Sequence, residues 1–151
     1  YNGINAIIDD LVTNTRADLV VFCETNGYPV THKGNIPDID LMAISSLAAN
    51  NISATAEMAS MIDEAGSFKF LFHEGAKRNI FLSNVGYNFI LVVIFNVNVA
   101  LGMVRIYTKK AIDSLTRLLH SAKEEENKSA EFLDLEFKSL LSKELNRSLK
   151  I

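Results

Sequence analysis

The chain has 151 residues, 48% of them apolar, and a formal net charge of −3. This length and apolar content suit one well-buried domain with an appendage, not two independent cores. The mildly acidic balance gives no footing for nucleic acid or an anionic membrane surface, and a single cysteine, Cys23, excludes an intramolecular disulfide.

Ile4, Ile7, Ile8 and Leu11 recur at helical spacing with Asp9, Asp10 and Asn14 between them, which predicts a short amphipathic helix over residues 2–15. Residues 17–24 are rich in Leu, Val and Phe and predict a strand, with Cys23 a small buried hydrophobe inside it. Thr25-Asn26-Gly27-Tyr28 follows. An Asn-Gly pair between apolar stretches predicts a type I′ hairpin, because both central residues of that turn need positive φ. The returning strand, 28–33, carries Pro29 near its start, and the missing N–H donor places it at a sheet edge.

Pro37 marks a loop, and Asp38 or Asp40 is placed to cap the next helix, expected over residues 39–62. Leu41, Ile44, Ala48, Ile52, Ala59 and Ile62 make one apolar stripe, expected to face the sheet. Leu47, Ala54, Met58 and Met61 make a second beside it, and the remaining face holds Ser46, Asn50, Ser53, Glu57 and Ser60. Two stripes exceed what one sheet requires. Either the helix is deeply buried, or its second stripe meets a helix of another copy beside a small-residue surface that a partner can approach closely.

After a turn at 63–66 come three strand-like segments, 68–72, 79–84 and 88–96, with turns holding Gly75 and Gly86 between them. They read as an antiparallel meander. Residues 89–95 are seven apolar residues in a row, and a strand apolar on both faces must be covered on both. It is therefore expected at the middle of the sheet, with helices above and below. The run is far shorter than the roughly 20 residues of a membrane span. Leu101, Val104, Ala111, Ile112, Leu115, Leu118, Leu119 and Ala122 predict a helix over 101–125, which ends in a solvated stretch or linker around Glu124, Glu125 and Glu126. A domain of residues 1–126 is thus followed by an extension, 127–151. There Leu133, Phe137, Leu140, Leu141, Leu145 and Leu149 predict an amphipathic helix, marginal alone and so expected to dock on its own domain, a sister subunit or a partner.

The order helix, two strands, helix, three strands, helix resembles the roadblock/dynein light chain family. Four stretches are similar to its bacterial gliding-motility branch, the MglB type: Leu47-Ala48-Ala49-Asn50-Asn51-Ile52-Ser53-Ala54-Thr55, Leu71-Phe72-His73-Glu74-Gly75, Ile90-Leu91-Val92-Val93-Ile94-Phe95 and Leu101-Gly102-Met103-Val104-Arg105. The resemblance covers roughly residues 3–125. It implies a three-layer α/β/α sandwich with a five-stranded antiparallel sheet, the middle helix on one face and the terminal helices on the other. It also implies a homodimer, formed by joining edge strands and packing the middle helices together, so Phe68, Phe70, Phe72, Leu47, Met58 and Met61 are the expected dimer contacts. An apolar edge such as 68–72, left open, is an aggregation hazard.

The function implied by the resemblance is activation of GTP hydrolysis by an MglA-like, Ras-type small GTPase in bacterial cell polarity and motility. The alternative is a dimeric scaffold that binds a GTPase or motor component without stimulating it. The chain has no G-x-x-x-x-G-K-[ST] phosphate loop, so it is expected to be a regulator and not itself a GTPase. Partner contacts are expected on Ser46, Asn50, Ser53, Ala54, Glu57 and Ser60. Arg78 and Arg105 are candidates for an arginine finger by residue type, although the MglB type resembles a mechanism that lends no arginine and instead positions the GTPase's own residues. His32, His73 and His120 fall in separate elements, so no metal site is expected, and no cofactor. Asp9-Asp10 and Asp38-Ile39-Asp40 read as a solvated face and a helix start, not as acid/base pairs. No charged n-region with an apolar h-region opens the sequence, and a cytoplasmic location is expected.

Overall fold

The structure, a computed structural model, describes residues 2–62 and 68–149. The elements run α1 (Asn2–Thr15), β1 (Leu19–Glu24), β2 (Pro29–Gly34), α2 (Leu41–Met61), β3 (Phe70–His73), β4 (Arg78–Gly86), β5 (Phe89–Asn96) and α3 (Leu101–Leu149). Residues 1–116 and 117–151 form two compact units. The turn expected at 63–66 lies outside the described residues, as does the side chain of Leu149.

The first unit is a five-stranded antiparallel sheet of order β2-β1-β5-β4-β3. The apolar run of β5 lies at its centre, and Ile90 to Phe95 are all buried. Alternation of side chains sorts the sheet into two faces. Leu19, Val21, Cys23, Leu82, Ile90, Val92 and Ile94 pack under α2 with Ala48 and Ala49, joined by Ile44, Ile52 and Leu71. The opposite face carries Val20, Phe22, Phe81, Leu91, Val93 and Phe95, and α1 and the start of α3 lie on it. Tyr107, Ala111 and Ser114 of α3 sit against Ile7, Leu11 and Asn14 of α1 around a shared cleft. Both faces are covered, which is why β5 needs no polar side.

Two turns differ from expectation. Asn26 does not take positive φ. Its side chain accepts a hydrogen bond from the Tyr28 N–H (3.0 Å), and only Gly27 is left-handed, at φ +92°. The Gly27 N–H donates to Glu24 O (2.8 Å), and the register slips at Phe22/Cys23. This is a longer turn with a bulge, the usual partner of a single left-handed residue. The two-residue turn with positive φ at both positions is instead Tyr87-Asn88, at 51° and 69°, between β4 and β5.

Asp40, not Asp38, caps α2, accepting from the Ala43 N–H at 3.1 Å. Asp38 has φ +62° in the loop before it. α2 stops at Met61, so Ile62 is not part of its sheet-facing stripe and is 64% exposed. In α3 the predicted stop near Glu125 is absent, and the helix continues to Leu149. Residues 123–130 hold no Gly or Pro and mostly good helix formers, so nothing in them ends a helix. The second unit is helical through its described residues and exposes Phe132, Leu133, Phe137, Leu140, Leu141 and Leu145.

Candidate partner-binding site

α2 turns Ala48, Ala49 and Ala59 inward, and these small buried residues set the helix close to the sheet. Its outward surface consists of two adjacent arcs, as 3.6 residues per turn dictate. One arc holds Asn50, Ser53, Glu57 and Ser60, all exposed, with Ala54 at its border. Ser46, at the end of this arc, is half-buried against the β1–β2 turn, where a Cβ on Gly27 would meet its Oγ at 2.8 Å and its Cα at 2.9 Å. The polar arc thus begins at a packed contact and opens toward the helix C-terminus.

The second arc holds Leu47, Met58 and Met61, which are 63%, 60% and 85% exposed. Three large apolar side chains on one exposed stripe signal a surface that associates. Beside the stripe, a cleft of about 270 Å³ is lined by Ile44, Leu47, Ala48, Asn51, His73 and Ile80, and Asn51 Nδ2 lies 3.3 Å from His73 Nε2, joining α2 to β3. β3 is the outer strand of the sheet, and its outer backbone edge pairs with no other strand of this chain among the described residues. Phe70 and Phe72 point away from α2. Their rings pack on Phe81 at centroid distances of 4.9 and 6.5 Å, and Phe72 also stacks on Phe95. The neighbouring Phe68 is half-buried.

Neither candidate arginine lies on α2. The Arg78 Nε donates to Asp18 Oδ2 at 3.1 Å, and the Arg105 guanidinium lies 5.9 Å from the centroid of the Phe70 ring, on the far face of the sheet. Cys23 is buried in β1, and burial pushes its thiol up to about 11 against a smaller downward pull from the Ser45 hydroxyl. It is therefore held as the unreactive thiol. Ser45 makes no hydrogen bond to nitrogen or oxygen. His73 and His120 contact Asn51 and Glu124 respectively, and no three potential metal ligands cluster among the described residues.

The family model for the Roadblock/LC7 domain matches residues 5–95. The chain belongs to the Roadblock/LC7 family. Within it, the chain is similar to Myxococcus xanthus MglB, with 37% identity, a TM-score of 0.77 and coverage of 80% of this chain and 98% of that one. The gliding protein MglB of Thermus thermophilus shares the roadblock fold at 22% identity and a TM-score of 0.73, covering 80% of this chain and 91% of its own. A protein of Aquifex aeolicus (strain VF5) is 29% identical over 140 residues, 92% of this chain and 86% of that protein. The roadblock domain thus accounts for residues 5–95, from α1 to β5, and the likeness to MglB points to an MglB-like regulator.

A groove on the far face of the sheet, between the expected dimer contacts Phe68, Phe70 and Phe72 and the start of α3, escaped the sequence reading. The signal for it was present: Phe68, Phe70 and Phe72 alternate, while Leu101, Arg105, Lys109 and Ile112 step by three and four. The two patterns converge in space around two adjoining clefts.

Proposed function

We propose that the chain is a GTPase-activating regulator of an MglA-like, Ras-type small GTPase, acting as a cytoplasmic homodimer in bacterial cell polarity and motility. The observation that carries this reading is the exposed surface of α2, where an apolar arc of Leu47, Met58 and Met61 adjoins a short-side-chain polar arc. The apolar arc and the outer edge of β3, with Phe68, Phe70 and Phe72 behind it, serve the dimer. Ser46, Asn50, Ser53, Ala54, Glu57 and Ser60 serve the GTPase. The 37% identity to MglB over nearly the whole of that chain supports the choice of partner. Arg78 pairs with Asp18 and Arg105 lies over Phe70, both away from α2, which supports activation by ordering the GTPase's own residues over an arginine finger.

Single-turnover GTP hydrolysis by a cognate MglA-like GTPase tests the proposal. The wild-type chain is expected to accelerate it on the order of tenfold or more, below the 10³–10⁵ of an arginine finger. Ser53→Arg is expected to abolish the acceleration, because a long cation blocks close approach at the centre of the polar arc. Binding without acceleration would leave the scaffold reading, and no binding would remove the surface altogether. For the dimer, Met58→Asp with Met61→Asp is expected to weaken self-association about a hundredfold by sedimentation. An unchanged dimer would show that α2 is not in the interface.

A further inference from the structure

The far face of the sheet is unevenly covered. α1 lies toward β1 and β2, and the first turns of α3 lie beside Phe70 and Phe81, leaving the sheet beyond α3 open toward β3. An open cleft of about 550 Å³ there is lined by Phe70, Val85 and Ile112, with Lys69, Arg105 and Lys109 around them and Asp113 opposing. It continues into a second space of about 360 Å³ over Phe70, Phe72 and Phe81, bounded by Leu101. The floor is aromatic and aliphatic, and three cations to one carboxylate line the groove.

The second unit has the complementary character. Leu133, Phe137, Leu140 and Leu141 recur at three- and four-residue steps, so they share one face of a helix, and all are at least half exposed. Acidic residues precede and flank this face: Glu124, Glu125 and Glu126, then Glu131, Asp134 and Glu136. Length matches as well. The wall formed by residues 101–113 is about 20 Å long and the helical segment 131–145 about 22 Å, at roughly 1.5 Å per residue. A helix in this position would extend the helical layer over the open end of the sheet.

We infer that the groove of one copy receives the acidic amphipathic segment around residues 131–145 of a second copy. Apolar side chains of that helix lie on Phe70, Phe72, Val85 and Ile112, while its carboxylates face Lys69, Arg105 and Lys109. The charged groups around the groove are these three cations and Asp113. Those on the incoming segment include Lys138 and Lys143, so the attraction is a net one and weakens with salt. The α2 surface is on the other side of the sheet, so this contact does not depend on the GTPase reading.

Zero-length carbodiimide coupling joins only carboxylates and amines already in contact, so it suits an undetermined register. Full-length chains, one isotopically labelled and one not, are mixed in urea, refolded together so that protomers exchange, and coupled. Peptides joining Lys69 or Lys109 to Glu131, Asp134 or Glu136 are expected, including pairs with one labelled and one unlabelled half. Arg105→Glu is expected to lower their yield about tenfold, and partner chains carrying Asp134→Arg are expected to restore it. Joined peptides in which both halves always share a label would assign the groove to the chain's own segment and overturn the second-copy inference. Absence of these peptides would overturn it too, and a yield indifferent to Arg105→Glu would show that charge does not select the occupant.

Discussion

Phe95→Ala is expected to lower the stability of the first unit by about 3–5 kcal/mol, the range for a large aromatic removed from a core. The ring is fully buried at the end of the central strand and stacks on Phe72 of β3 at 6.4 Å. Its removal opens a cavity beside Phe72 of the four-residue edge strand. Phe72→Ala is the matched control. Phe72 is 38% exposed already, so its loss is expected to cost clearly less. Urea unfolding of both variants checks the order, and equal losses would show that the deeper burial of Phe95 does not set the cost.

Gly34→Ala is expected to cost about 3 kcal/mol, because backbone strain and collision add. The residue has φ +91°, and a Cβ there would stand 2.3 Å from Asp18 O, a backbone oxygen that also accepts from the Asn35 N–H at 2.9 Å. Neither atom yields without displacing the start of β1. Gly86 separates the two terms. It has the same φ, but a Cβ at that position meets nothing within 4 Å. Gly86→Ala is therefore expected to cost only about 1 kcal/mol, the conformational part. Comparable losses in the two variants would mean that the collision at Gly34 is relieved by a shift of the strand.

How much of this was legible in the sequence follows from which residues carry an unambiguous physical signal. The run Phe89–Phe95 read as a doubly covered central strand, and the structure sets it between β1 and β4. Pro29 marked β2 as an edge for an equally direct reason. The turns were harder. Asn26-Gly27 has the composition of a type I′ turn, yet the Asn26 side chain bonds the Tyr28 N–H and the pair adopts another geometry. Tyr87-Asn88 takes positive φ at both positions although tyrosine gives no hint of it, because the register of β4 with β5 leaves only two residues to reverse the chain. Ile62 fitted the helical repeat but fell one residue past the last turn of α2.

The α2 surface was readable because its two arcs differ in chemistry and both outnumber what the sheet can bury. Ser46 was the exception, since its contact with Gly27 lies between elements far apart in sequence. The basic groove was invisible for the same reason. Arg105 and Lys109 read as the outer face of an amphipathic helix, and only the placement of α3 beside β3 and β4 brings them together with Phe70. Spacing along one element predicts a face. It does not predict what another element sets opposite it.

The strand order has a consequence for synthesis. β1 and β2 leave the ribosome early and pair with each other, but β1 must then wait for β5, the last strand made, before its other side is satisfied. Until that strand emerges, the nascent chain holds two separate hairpin-like fragments, each presenting an unpaired edge rich in Val, Leu, Ile and Phe. The interval is several seconds at roughly 5–20 residues per second. A chaperone or a slow codon acting between α2 and β5 therefore meets this protein when it is most prone to associate with the wrong chain, and truncation before Phe89 removes the one strand that joins its halves.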